Sequence, residues 1–425
     1  MLVGVGKEII TPKIGSLLFG YNNDTKSTSV HDDLDVTVLI IKTDETSAIL
    51  ISFAVCLIHE SLVCEIREKA GAAAGVPASN IIVSATHTHS GPSTTTFSTF
   101  KSFGEIDRDY CETIFIPKCV EAVKKASANM KPAKMGVGTT ESKVGINRRQ
   151  LRMGGIVGLG QNPWDHYDST MTVISFVEAK NQKPIANIVH AGAHLTAAGN
   201  NHEITRDWAG VMVDRLDKES GGTTLFINGT LGDTGPRIAN GGTVGNLELA
   251  MELGGLAGID AVRGFKSIKT YYDEPLKVAC KEFEIPFIPP IPKEEIKGLL
   301  ETRGDWDKFK QASLERLSEM YDENDLGPES LKFWQVIFRI GPVVLVPYPF
   351  EVSAEVGLRL RSYSPFAHTL TMSCTNGSNS YLPAESQICR GGYEIESFRW
   401  FRPRQLPNNA DGILIGLNLE LIKEL

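Results

Sequence analysis

The chain is predicted to be an α/β protein: a mixed β-sheet core covered by helices, built from several βαβ-like units, with its site at the carboxyl ends of the strands. Three observations predict this. Apolar runs of strand length alternate with segments of helical spacing. The strand–helix–strand order comes three times, over Ser47 to Ala85, Ile185 to Asn228 and Val343 to Cys374. Each unit also runs out into turns that carry histidine, aspartate or tyrosine, and open α/β sheets place their ligands beyond the carboxyl ends of the strands.

In chain order, Val3 to Gly6 and Ile9-Ile10-Thr11-Pro12 read as an opening strand and turn, followed by a Gly20-Tyr21-Asn22-Asn23 loop. Val36 to Lys42 and Ser47 to Val55 form a hairpin around the polar Thr43–Thr46 turn. His59 to Ala74 is helical, with Leu62, Ile66 and Ala70 on one stripe, and Gly75 and Pro77 end it. The strand Ile81 to Ala85 then enters Thr86-His87-Thr88-His89-Ser90-Gly91-Pro92. Strand alternation would place His87 and His89 on the side of Ile81, Val83 and Ala85. Neutral imidazole is a common metal ligand, and an H-x-H pair at a strand end can supply one or two ligands; two polar residues in an ordinary loop is the plainer alternative. Asp107 to Met130 is helical, with a kink expected at Pro117. Asn147-Arg148-Arg149 is placed in a Gly-rich loop, where arginine suits planar recognition of an oxyanion or simply faces solvent.

The same order then returns. Ile185 to Ala193 is a strand containing His190, a core histidine by its mid-strand position, and it ends at His194-Leu195-Thr196. Asp207 to Glu219 is helical, and Thr223 to Asn228 is a strand that runs into Gly229-Thr230-Leu231-Gly232-Asp233-Thr234-Gly235-Pro236. A helical stretch from Leu247 to Val262 precedes a proline-rich passage and an exposed charged helix, Lys293 to Tyr321. Residues 291–330 read as a surface excursion and not a boundary, so a single domain over 1–425 is expected. Phe333 to Ile340 and Val343 to Val346 form a hairpin at Gly341-Pro342. Glu351, the helix Val352 to Ser362, the strand His368 to Cys374 and a loop through Tyr381-Leu382-Pro383 follow. A carboxylate at the start of a helix, such as Glu351, is favoured by the helix dipole with no metal at all.

Bulk properties narrow the function. The chain has 425 residues, 42% hydrophobic and 22% charged, as in a soluble globular protein. A net charge of −8 and a pI near 5.7 argue against a nucleic-acid partner. Arg390, Arg399, Arg402 and Arg404, among Phe398, Trp400 and Phe401, are the local exception and read as a solvated face or an anchor for one anionic group. No apolar run is long enough to span a bilayer, so no integral membrane segment is expected. Seven scattered cysteines without a C-x-x-C pair and no signal-like opening point to reduced thiols and a cytoplasmic location.

Taken together, these segments resemble the neutral (non-lysosomal) ceramidase family, zinc-dependent amidases that cleave ceramide to sphingosine and a fatty acid. The resemblance runs over roughly the whole chain: Ile10-Thr11-Pro12, Ala85 to Pro92, Asn147 to Arg149, the strand ending at His194, Pro349-Phe350-Glu351 and Asn376 through Tyr381-Leu382-Pro383 match in order. The resemblance implies a Zn²⁺ held by His87, His194, Glu351 and Tyr381, with His87 and His89 both open as the direct ligand from the H-x-H pair. It also implies that His89 stands close by the metal or faces the substrate. The expected chemistry is hydrolysis of a small-molecule amide or ester by a metal-activated water, with His89 to shuttle protons or hold the oxyanion, Asp233 to orient a ligand or the water, and Arg148 to contact the oxyanion or a substrate carboxylate. Two departures bear on the substrate. Gly235 stands where the family carries a serine, and the family's C-terminal β-sandwich does not follow the tyrosine loop. A small polar amide or ester is therefore expected in place of ceramide. The alternatives are a genuine ceramidase and a non-catalytic binding protein on the same scaffold; a serine hydrolase lacks a G-x-S-x-G elbow.

Overall fold

In the computed structural model, which describes residues 1–21, 24–97, 105–302 and 307–425, the strands Asp35–Lys42, Ser47–Phe53 and Ile81–Ala85 are buried at almost every position because both of their faces are covered. Alternation divides their side chains. Val36, Val38, Ile49, Ile51, Ile81 and Val83 share a core with Leu62 and Ile66 of helix Glu60–Ala74 and with Ala122 and Val123 of helix Ile116–Ala128. Leu39, Ile41, Leu50 and Ile82 face the other way, toward Val336, Leu345 and Leu370 of a second sheet.

The main sheet has eight strands, in the order Thr223–Asn228, Pro184–Ala191, Thr170–Glu178, Lys131–Glu141, Leu2–Ile9, Asp35–Lys42, Ser47–Phe53, Ile81–Ala85. Only the outermost pair at each edge is parallel. Each parallel pair is joined by a crossover helix, Asp207–Ser220 at one edge and Glu60–Ala74 at the other, so the first two βαβ units lie at opposite edges of one sheet. The sheet curls until those edges meet. Ser52 Oγ donates to the Phe226 carbonyl (2.6 Å) and the Asn228 amide donates to the Thr86 carbonyl (2.9 Å). The carboxyl ends of two distant units thereby become neighbours, with Thr88 bridged to Leu195.

The third unit belongs to the four-stranded sheet Leu276–Pro286, Ser330–Ile340, Val343–Pro347, His368–Met372, whose last two strands are parallel across helix Ala354–Tyr363. Its exit loop is tied to the main sheet by Asn376 N–H to the Val83 carbonyl (2.7 Å) and Ser373 N–H to the Asn228 carbonyl (3.1 Å). All three expected βαβ units are present.

Several elements differ from the sequence reading. Asn147-Arg148-Arg149 lies on a strand, Gly145–Leu151, paired with Val157–Asn162 and Thr234–Pro236. The strands Lys131–Glu141, Thr170–Glu178 and Leu276–Pro286 were not anticipated; the first and last are partly exposed with several lysines and a proline, which blurs their period. The helical run after Asp107 accommodates Pro117 through a π turn, Cys111–Phe115, which relieves the clash between the proline ring and the preceding turn. Asn22 and Asn23 of the expected loop, and residues 303–306 of the expected Lys293–Tyr321 helix, lie outside the described residues; the flanking helices are Lys293–Glu301 and Asp307–Asp322. Among the described residues no helix is long and apolar enough to cross a membrane.

Strand Leu2–Ile9 meets helix Ile116–Ala128 at Gly4 and Gly6, where an added Cβ would strike the Ala126 and Ala122 carbonyls. Gly6→Ala is therefore expected to lower stability by about 1–3 kcal/mol, read as a lower urea midpoint at unchanged slope. An unaltered midpoint would show that the strand and helix do not touch there.

Candidate metal centre and its cleft

The strand Ile81–Ala85 stops before its histidines, and His87 takes a left-handed backbone (φ 77°). The two imidazoles are thus not aimed by strand alternation; the break at His87 re-aims them. His87 N–H donates to the Val55 carbonyl, and its Nδ1 lies 2.9 Å from the Cys56 carbonyl. His194, two residues past a glycine after its own strand, has Nδ1 2.7 Å from the Leu231 carbonyl. A carbonyl only accepts, so in both rings Nδ1 carries the proton and Nε2 presents a lone pair. Burial is the main force holding both imidazoles neutral: it lowers His87, and with Arg148 it pushes His194 down to about 4.

Glu351 completes the group. It sits in register with Tyr381 in a short parallel pairing of Glu351–Val352 with Tyr381–Leu382. Its Oε2 lies 3.1 Å from His194 Nε2 and 3.6 Å from His87 Nε2, and no donor satisfies it. Burial works to raise this carboxyl; the two histidines lower it only when protonated, and the Tyr381 hydroxyl also lowers it. The helix-dipole role open to Glu351 is filled by Asp233, whose Oδ1 accepts from Ala354 N–H (2.7 Å) at the start of helix Ala354–Tyr363. Two imidazole lone pairs and a carboxylate oxygen thus face one another in a buried site with no proton between them. That is unfavourable without a cation and suits a divalent metal taking N and O ligands.

Tyr381 borders the same group. Its hydroxyl accepts from Arg148 Nη2 (3.1 Å); burial and Glu351 push the phenol well up, and Arg148 opposes them. Arg148 is fixed in turn by Glu394: Arg148 Nε donates to Oε1 and Arg149 Nη1 to Oε2, each at 2.8 Å, with all three side chains buried. Adjacent residues of an ordinary strand point to opposite faces, yet both guanidiniums converge on one carboxylate. Tyr393, next to Glu394, packs edge-on to Tyr381 with ring centroids 5.5 Å apart. Neither Tyr393 nor Glu394 was anticipated from the sequence; the Gly391-Gly392 pair before them, with both glycines at positive φ, was the one local signal.

The remaining expected residues fall into place around this group. His89 Nε2 is 3.3 Å from His87 Nε2, and its Nδ1, which packs against Gly20, has no hydrogen-bond partner. Burial and the other histidines hold His89 well below the usual imidazole range. The Asp233 carboxylate points away from the imidazoles, to Ala354 N–H and to Gln387 Nε2 (2.8 Å); the turn acts on His194 through the carbonyls of Leu231 and Thr234 instead. Gly235 pairs with Ile146, and a Cβ built there meets the Arg148 Cβ at 3.3 Å. The arginines near the end of the chain do not share one anion. Arg390 pairs with Asp165, Arg399 with Glu396 and Arg404 with Glu329, whereas Arg402 bonds the Asn379 side chain.

A cleft of about 570 Å³, its open mouth included, reaches His87, His89, Glu351, Tyr381 and Tyr393. Its other walls include Phe19, Leu57, Phe97, Phe309 and Phe401. Phe309 comes from helix Asp307–Asp322, so the expected surface excursion contributes a wall to the site.

A sequence profile described as neutral/alkaline non-lysosomal ceramidase, N-terminal, matches residues 1–244. The chain is similar to neutral ceramidases A and B of Dictyostelium discoideum, each 31% identical over 166 residues. That alignment covers 38% of this chain and 22% of each relative's length. Neutral ceramidase from Pseudomonas aeruginosa has a similar fold, with a TM-score of 0.77 at 19% identity over 100% of this chain and 75% of that one. A ceramidase complexed with C2 gives 0.76 at 18% identity, covering 99% and 74%.

Glu394→Ala leaves two buried guanidiniums without their carboxylate, and a loss of about 3–5 kcal/mol of unfolding free energy is expected. Chemical denaturation measures it, and a loss below about 1 kcal/mol would mean that the arginines find another partner.

Proposed function

Because the chain belongs to the neutral/alkaline non-lysosomal ceramidase family, a family of hydrolases, we propose that it is a zinc-dependent hydrolase of an amide or ester bond, with His87, His194, Glu351 and Tyr381 as the metal ligands. The observation that carries this reading is the meeting of His87 Nε2 and His194 Nε2 on Glu351 Oε2, which has no hydrogen-bond donor, at the cleft. His87 is preferred over His89 as the direct ligand because a backbone carbonyl holds its Nδ1 and turns its Nε2 toward Glu351, whereas the Nε2 of His89 meets His87. Bound there, zinc would supply a Lewis acid and a water with its pKa lowered toward ~7.

The chain's own residues supply the rest. His89, neutral and beside His87, is placed to take a proton from the attacking water and pass it to the leaving group. Arg148, held by Glu394 and hydrogen-bonded to the Tyr381 hydroxyl, is placed as a donor for a carbonyl oxygen as it gains charge. Asp233 serves the site indirectly, by fixing the helix that follows Glu351. The aromatic walls support a substrate with an apolar group beside the scissile bond, which revises the small polar substrate expected from sequence. Glycine at position 235 supports a route without a serine nucleophile.

Protein purified without added metal is expected to carry about one zinc per chain by elemental analysis, and His194→Ala or Glu351→Gln to lose it. Chelation should abolish hydrolysis of N-acyl p-nitroanilides, those two variants should fall roughly 10²-fold or more, and fluorophosphonates should leave the enzyme unaffected. Full activity in metal-free protein would refute the reading.

A further inference from the structure

Single exposed apolar side chains need no explanation, but a cluster does. Leu151, Met153, Ile156 and Trp164 are 69%, 97%, 53% and 92% exposed. Three of them cap one hairpin. Gly145–Leu151 pairs with Val157–Asn162, Leu151 opposite Val157, and the connection closes with Arg152 N–H to the Ile156 carbonyl (2.8 Å) and Gly155 N–H to the Arg152 carbonyl (3.2 Å). Gly154 and Gly155, at φ 86° and 81°, make the tight turn, and open space surrounds both. The tip therefore stands away from the body with Met153 at its end. Trp164 and Leu151 line one surface groove, whose charged lining residues are Arg149, Arg390 and Asp165.

We propose that this hairpin tip and Trp164 dock on an anionic phospholipid surface, with the apolar side chains entering the acyl boundary and Arg152 and Arg390 meeting headgroup phosphates. Three apolar side chains on a projecting tip with Trp164 beside it are too few for a stable second copy, which needs roughly 20–30 residues a side. Charge points the same way. The chain carries −8 overall, yet two exposed arginines, Arg152 at the tip and Arg390 in the groove, stand beside one acid, Asp165, which pairs with Arg390; Arg149 is buried against Glu394. Tryptophan and arginine beside aliphatic groups suit the headgroup boundary. The docking surface does not depend on the chemistry at the cleft, although the strand that ends at this tip also carries Arg148.

Co-sedimentation with vesicles of phosphatidylcholine alone, and of phosphatidylcholine with phosphatidylglycerol, tests the proposal. Wild-type protein should bind the mixed vesicles more tightly. Replacing both Met153→Ser and Ile156→Ser should weaken that binding roughly tenfold or more, and Arg152→Glu should remove the preference for the anionic lipid. These side chains are exposed, so melting temperatures should not change. Absence of vesicle binding, equal binding by wild type and variants, or self-association that the same substitutions abolish would each overturn it.

Discussion

A buried carboxylate oxygen with no hydrogen-bond donor, Glu351 Oε2, is the constraint around which the site is arranged. Removing an anion from water costs several kcal/mol unless a cation or donors compensate, and Glu351 Oε2 meets only the lone pairs of His87 and His194. Both imidazoles are held in that orientation by backbone carbonyls, so neither can turn its N–H inward to relieve the carboxylate. Asp233 takes over the capping of the helix after Glu351, which leaves the glutamate free. One requirement, a cation among three lone pairs, accounts for features in four separate segments.

A second charge problem lies beside the first. Arg148 is buried next to Tyr381, and burial of a guanidinium is tolerated because Glu394 supplies both oxygens to Arg148 and Arg149. The pair ties strand Gly145–Leu151 to helix Tyr393–Trp400, so the cationic side of the site depends on an element that carries none of the proposed ligands. The curl of the main sheet does comparable work for the histidines. His87 leaves one edge strand of the main sheet and His194 the strand next to the other edge, and they meet because Thr223–Asn228 closes against Ser47–Phe53.

How much of this was legible follows physical lines. The three strand–helix–strand units were readable because strands buried on both faces leave unbroken apolar runs, as in Asp35–Lys42 and Ser47–Phe53, and helix ends carry their own punctuation, as at Gly75. Lys131–Glu141 and Leu276–Pro286 were missed because half-exposed strands with charged faces look like loops. The resemblance of short motifs named four residues that the fold gathers around one point, but it misjudged the walls. Phe309 was assigned to a surface helix, and the aromatic residues that line the cleft come from segments too far apart in sequence to be read as one wall.

Local pattern alone therefore determined the fold class, the order of the repeated units and the residues at their strand ends, because apolar periodicity and turn chemistry act over a few neighbouring positions. Which nitrogen each histidine turns inward, that Asp233 caps a helix and that Glu394 balances two arginines were decided only in the folded chain. Those outcomes depend on carbonyls and charges brought from distant segments, and no local stretch of sequence records them.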